Sequence, residues 1–201
     1  MSPLRSLSSA AGAAVAAALV LVAAAPAPAQ DADARQTAIA EVEALGGTVH
    51  DMSMTLWEYA ETALEERQSS DYLVRHLEEA GFEVEEGVAG MPTAFVAEWS
   101  SGSGGPKVGI LAEYDALPGV GNAPVPERQP REDGVASGHG CGHNLFGAGS
   151  VTGGIALKRA MEEHGIDGTV RVYGTPAEET LIGKVYMARE GLFDDLDAAL
   201  V

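Results

Sequence analysis

The chain has 201 residues, with 30 acidic side chains against 12 basic ones, 46% hydrophobic residues, 25 glycines and a single cysteine. That balance belongs to a folded protein rather than a disordered or collagen-like one. The formal charge of −18 argues against nucleic acid and anionic membrane surfaces as partners, because both repel a polyanion.

Residues 1–9 are short and basic at Arg5, residues 10–25 are apolar and uncharged, and Ala27-Pro28-Ala29 offers small residues before Gln30. This is the three-part layout of a secretory signal peptide. The apolar run is shorter than the ~20 residues a spanning helix needs, which argues against an uncleaved anchor. The expectation is export to the periplasm or beyond, with residues 1–29 removed. Residues 30–201 are then enough for one domain with a sizeable core.

In residues 35–66, Ile39, Val42 and Leu45, then Leu56, Tyr59, Ala60, Ala63 and Leu64, recur at three- and four-residue steps. The spacing predicts a helix broken near Gly46-Gly47. Ser69 or Ser70 can cap a second helix through Leu73, Leu77 and Ala80, which Gly81 ends. Residues 82–88 and 94–99 alternate as strands do, residues 100–106 read as a glycine-loaded hairpin connection, and residues 107–112 suit a buried strand. The loop 113–140, with Pro118, Pro124, Pro126 and Pro130, far exceeds the usual ~4–6 residues, and loops of that length are functional or mobile.

Residues 145–163 follow as a helix, with Asn144 as its cap and Gly165 past its end. Gly147, Gly149, Gly153 and Gly154 read as its close-packing face, since each glycine costs a helix about 1 kcal/mol relative to alanine. Residues 168–174 form a strand, 183–190 a short helix stopped by Gly191, and 198–201 a buried strand. Helices alternating with short strands predict an α/β layered fold.

Three segments carry chemistry. In Gly138-His139-Gly140-Cys141-Gly142-His143-Asn144, Cys141 and His143 stand two apart, so an extended chain aims both to one side. Thiolate and imidazole are good zinc ligands, although a glycine turn with a buried thiol reads equally from this segment alone. Thr175-Pro176-Ala177-Glu178-Glu179 follows a strand, and two adjacent glutamates there can serve a metal and a proton. An acidic helix start is the plainer reading of that pair. Glu113-Tyr114-Asp115-Ala116-Leu117-Pro118 places further carboxylates at the carboxyl end of a strand, where open α/β sheets bind ligands. Dinucleotide and Walker readings of the glycines fail, because His143 and Ala148 stand where a glycine and a lysine are required.

Together, in this order, the three segments resemble the co-catalytic metallohydrolases, which include aminoacylases, carboxypeptidases and amidohydrolases. Gly87–Ala94 and the stretch from Ala188 to Asp195 resemble the aminobenzoyl-glutamate hydrolase branch in particular. The resemblance implies an α/β, zinc-peptidase-like catalytic domain, a central mixed sheet flanked by helices, with a lid and dimerisation domain inserted after it. It implies two divalent ions, Zn or Mn, held in part by Cys141, His143 and Glu179, with Glu178 as general base and Asp115 as the family's catalytic aspartate. Glu113 stands where many members have a ligand histidine. A metal-bound thiolate would also explain an exported lone cysteine.

The activity implied is metal-dependent hydrolysis of the amide bond of N-acyl or N-aroyl amino acids or short peptides, by a homodimeric full-length protein. Two rivals stand beside it: a cysteine hydrolase with Cys141 as nucleophile and His143 as base, and an inactive fragment or degenerate metal-binding periplasmic protein. The few ligands present and the apolar final strand lead to the expectation that these residues are an N-terminal piece of a longer protein, inactive alone.

Overall fold

The computed structural model describes residues 29–201, so the leader expected over residues 1–29 lies outside the described residues except at Ala29. Helices α1 (Ala29–Ala44) and α2 (Gly46–Tyr59) meet at Leu45, where the glycine pair predicted a break. The apolar spacing of α1 does not bury it as expected, since Ile39 and Val42 are exposed. Helix α3 (Arg67–Glu79) is ended by Gly81 at φ +86°. Its cap differs from the expected serines. The backbone N–H groups of Gln68 and Ser69 donate to the carboxylate of Glu61, at 3.1 and 2.9 Å, and Ser69 Oγ donates to it as well.

Five strands follow: β1 (Glu83–Glu86), β2 (Phe95–Ser101), β3 (Lys107–Ala112), β4 (Gly168–Gly174) and β5 (Ala198–Leu200), with α4 (His143–His164) and α5 (Gly183–Arg189) between them in the chain. The sheet order is β1-β2-β4-β3-β5. Strands β1, β2 and β4 pair antiparallel, whereas β3 runs parallel to both β4 and β5. The expected hairpin between β2 and β3 is therefore absent, because β4 lies between them. Its physical cause sits in the connection. A Cβ on Gly102 would lie 2.0 Å from Asp167 Oδ1 and one on Gly105 2.2 Å from the Asp167 carbonyl, so the chain wraps closely around the approach to β4. A turn-rich segment gives the same sequence signal whether it joins neighbours or spans a strand. The expected buried strand at 198–201 is also corrected: β5 is an exposed edge.

Alternation along the strands divides the apolar residues between two cores. Phe95, Ala97, Ile110, Val170 and Val172 face α2, α3 and α4, meeting Met52, Leu56, Leu73, Leu77, Val151 and Ile155. Leu111 and Tyr173 point the other way, toward Val88, Met91, Ala94 and Met187. Helix α4 crosses this sheet closely through two of its glycines. A Cβ on Gly154 would lie 2.6 Å from Val172 Cγ2, and one on Gly147 2.8 Å from the Glu113 carbonyl, whereas Gly149 and Gly153 face open space. The close-packing face is thus Gly147 and Gly154, seven residues and nearly two turns apart. Helix α4 also starts earlier than expected, at His143, with Gly142 at its cap and Asn144 Nδ2 instead donating to the Ser53 carbonyl.

The long loop between β3 and α4 is closed at its base. Leu117 and Gly138 exchange backbone hydrogen bonds of 2.9 and 3.0 Å, and Arg131 lies over the Trp57 ring at 4.1 Å while donating to the Trp57 and Glu58 carbonyls. The loop's return brings the chain back beside the end of β3, at the point where α4 begins.

Candidate metal centre

Strands β3 and β4 are parallel and adjacent, with Ala112 opposite Gly174, so the segments that leave them emerge side by side. Glu113, Tyr114 and Asp115 leave β3, and Thr175 to Glu179 leave β4. Thr175 is tied back to β3 through its N–H and Oγ1, both donating to the Ala112 carbonyl. The first turn of α4 adds His143 from the closed loop. Three segments more than twenty residues apart in sequence thereby converge at the carboxyl ends of β3 and β4.

His143 is buried at the centre of this group. Its Nδ1 lies 3.0 Å from both the backbone carbonyl and Oδ1 of Asp115, two acceptors that favour a proton on Nδ1. Its Nε2 faces carboxylates on the other side, 3.2 Å from Glu113 Oε2 and 3.7 Å from Glu178 Oε2. Glu113, His143 and Glu178 each present a ligand atom within 4.8 Å of the others. Asp115 is almost fully buried and does two things at once: Oδ1 accepts from His143, and Oδ2 accepts the Glu179 N–H at 2.9 Å. Burial works against the ionised Asp115, but these hydrogen bonds outweigh it and hold the carboxyl below its ordinary range. Burial likewise opposes a charged His143, yet the hydrogen bond and charge of Asp115, with Glu113 behind it, raise its pKa.

Cys141 is exposed, and its thiol is drawn up in pKa first by a hydrogen bond with the Glu179 carboxylate. Glu179 Oε1 also lies 3.8 Å from His143 Nδ1. All five residues expected from the sequence, Asp115, Cys141, His143, Glu178 and Glu179, therefore gather in one place. Glu113 joins them, and Lys184 from α5 forms an ion pair with it. His139 stands aside, its Nε2 3.0 Å from the Leu56 carbonyl and its Nδ1 buried without a hydrogen-bond partner. Two participants were invisible in the sequence: Lys184 lies in a short helix with no motif, and Glu66, whose carboxylate accepts the Ala177 N–H, sits in an ordinary polar run.

The donor set fits a divalent cation. Four carboxylates, Glu113, Asp115, Glu178 and Glu179, meet with one lysine against them, an arrangement whose mutual repulsion calls for positive charge. An imidazole whose Nδ1–H is fixed by a carboxylate, leaving Nε2 toward other oxygen ligands, is the orientation that metal-ligating histidines use.

A mixed α/β sheet whose parallel strand ends collect carboxylates, an imidazole and a thiol has the donor set of a divalent-metal site. Residues 109–201 match the model of peptidase family M20/M25/M40, which places that stretch of the chain in the family. It is 46% identical over 154 residues to one of the subunits of the p-aminobenzoyl-glutamate hydrolase of Escherichia coli, covering 75% of this chain and 31% of that protein. It is 32% identical over 178 residues to the Xaa-Arg dipeptidase of Mus musculus, covering 83% and 37%. Among solved structures it resembles a dinuclear metal-binding peptidase of the M20 family from Bacillus subtilis, with a TM-score of 0.65 and 26% identity, over 78% of this chain and 42% of that one. A structure from methicillin-resistant Staphylococcus aureus shares the fold, with a TM-score of 0.69 at 24% identity, over 82% and 41%. The chain spans about a third of the length of the curated relatives it matches.

Proposed function

We propose that this chain carries the metal-binding strand ends of a metal-dependent amidohydrolase that cleaves the amide bond of N-acyl or N-aroyl amino acids, aminobenzoyl-glutamate among them. The observation that carries the reading is His143, fixed at Nδ1 by Asp115 and open at Nε2 toward Glu113 and Glu178. The activities of relatives, a p-aminobenzoyl-glutamate hydrolase and a hippurate hydrolase, support the substrate class. Cys141, His143 and Glu179 would hold the cations, zinc or manganese. His143 Nε2 itself opens toward Glu113 and Glu178, whereas Glu179, paired with Cys141, lies nearer Nδ1. The division of roles between Glu178 and Glu179 therefore rests on the motif, and substitution of Glu178 decides it. Bound there, the cations supply an acidified water and a polarised amide carbonyl.

The chain's own residues do the rest. Asp115 holds the imidazole in one tautomer and ties down the backbone of Glu179. Glu178 is the more exposed of the two glutamates, its side chain 30% accessible against 15% for Glu179, as a base that must meet substrate should be. It takes a proton from the attacking water and returns it to the leaving amine nitrogen. The cysteine-nucleophile alternative loses support, because a nucleophilic thiol needs a lowered pKa and the Glu179 carboxylate raises that of Cys141. Export and homodimerisation of the full-length protein remain part of the proposal.

The test is Glu178→Gln in the full-length protein. Turnover of N-acyl amino acids is expected to fall roughly 10²–10⁴-fold with metal content unchanged by elemental analysis. Loss of metal in that variant would exchange the roles given to Glu178 and Glu179. No hydrolysis of any acyl amino acid by metal-loaded wild type would reject the function.

A further inference from the structure

Glu66 is fully buried, yet the backbone N–H and the hydroxyl that donate to its carboxylate are both neutral. Its Oε1 accepts the backbone N–H of Ala177 at 2.9 Å, and its Oε2 accepts the hydroxyl of the buried Thr93 at 3.0 Å. The Thr93 carbonyl in turn accepts the hydroxyl of Tyr114, a fully buried ring that lies between Glu113 and Asp115 in the chain. A chain of buried hydrogen bonds thus runs from Ala177, just before the two glutamates, to the segment that carries the other two carboxylates.

Ala177 needs such a restraint. It adopts φ +57° and ψ +37°, a left-handed conformation that strains a non-glycine residue and persists only where surroundings enforce it. That conformation reverses the chain after Pro176 and sends Glu178 and Glu179 back toward His143. The turn is then held at two backbone N–H groups, that of Ala177 by Glu66 and that of Glu179 by Asp115. Only the second restraint comes from within the centre. Burial raises the pKa of Glu66 against the hydrogen bonds it accepts from Ala177 and Thr93, so what the position supplies is a buried acceptor that joins those two donors.

We propose that Glu66 is a positioning residue for the metal centre, setting the Ala177–Glu179 turn against the Glu113–Asp115 segment through the buried Ala177–Glu66–Thr93–Tyr114 network. The inference rests on the reading of Glu178 and Glu179 as base and ligand. It adds a residue outside the set of proposed ligands, 111 positions in sequence from the Ala177 N–H it holds.

The test compares Glu66→Ala, Glu66→Gln and Thr93→Val in the full-length protein, measuring zinc affinity by competition with a chelating dye, kcat and KM, and thermal unfolding. Glu66→Ala is expected to weaken zinc binding about 10–100-fold, as removal of a group that orients ligands does. It should also lower kcat at least tenfold with KM within threefold of wild type. Glu66→Gln keeps an acceptor for the Ala177 N–H and should return both values to within about threefold. Wild-type zinc affinity and kcat in Glu66→Ala, with or without a lower unfolding temperature, would overturn the proposal, as would equal impairment in the alanine and glutamine variants. Should Glu66→Ala fail to fold, Thr93→Val decides: a weakened zinc affinity supports the network, and an unchanged one rejects it. A wild-type protein that binds no zinc and hydrolyses nothing would instead sink the functional reading on which the inference stands.

Discussion

His143 shows how much one side chain can report. Its two ring nitrogens meet two different environments, a backbone carbonyl and carboxylate at Nδ1 and a pair of glutamates at Nε2, and that asymmetry is the orientation a metal ligand requires. Cys141 is placed less tightly, exposed at the rim and paired with Glu179. Substituting each should therefore lower metal occupancy to different degrees. On the proposed reading, His143→Ala removes a buried imidazole from the centre and leaves Asp115 without its partner, so stoichiometric binding of zinc is expected to fail. Cys141→Ser keeps a weaker oxygen donor at the rim, and a reduced affinity with residual binding is expected by isothermal titration. Unaltered stoichiometry and affinity in both would remove these residues from the centre.

At the scale of elements, the glycines of α4 separate two effects that look alike in sequence. Gly154 lies against Val172 on β4, so Gly154→Ala must push the helix off the sheet and is expected to cost about 1–3 kcal/mol in chemical denaturation. Gly149 meets open space on the exposed side, so Gly149→Ala should stabilise by up to about 1 kcal/mol through helix propensity alone. Equal effects at the two positions would contradict the packing. The strands themselves were legible where alternation or an apolar run was strong: residues 107–112 and 168–174 are β3 and β4 as predicted. Their pairing was not, because local pattern does not say which strand inserts between which. The convergence of the three motifs was legible, since two of them leave the ends of the adjacent parallel strands β3 and β4 and the third opens α4 beside them. Glu66 and Lys184 were not, because their significance comes entirely from contacts made across the fold.

The segment after α5 is also held to the sheet by charge. Asp195 pairs with Lys107 and, at 2.6 Å, with Nη1 of Arg171, whose Nε pairs with Glu98 on β2. The hydrogen bonds from Lys107 and then Arg171 lower the Asp195 pKa to about 2. A carboxylate whose folded pKa is depressed contributes stability that is present above its unfolded value and disappears as pH falls toward the folded one. The loss should therefore run between about pH 4 and pH 2, since a free aspartate titrates near 3.9. Because Asp195 is half exposed, Asp195→Asn should cost no more than about 1 kcal/mol at pH 7, and the difference from wild type should close at pH 2. A gap that persists unchanged across that range would show that the pair does not titrate with folding.

For the whole molecule, an excess of acid over base makes folding itself sensitive to cations. With 30 acidic and 12 basic residues the compact state repels itself, and four of those acids meet at the ends of β3 and β4. Monovalent salt relieves the distributed repulsion by screening, over a Debye length of about 10 Å at 0.1 M, whereas a divalent ion bound among the strand ends acts by mass action. The two contributions are separable. At about a hundredfold excess over its dissociation constant, zinc or manganese should add about 2.7 kcal/mol to the folded state of the full-length protein, beyond the effect of sodium chloride at equal ionic strength. A chelator should reverse that increment and leave the salt effect in place. His143→Ala should lose the divalent increment alone, since it removes the imidazole but leaves the distributed acidic surface untouched. If divalent and monovalent salts raised the unfolding temperature equally at matched ionic strength, in wild type and variant alike, the acidic cluster would be a screened surface rather than a metal centre.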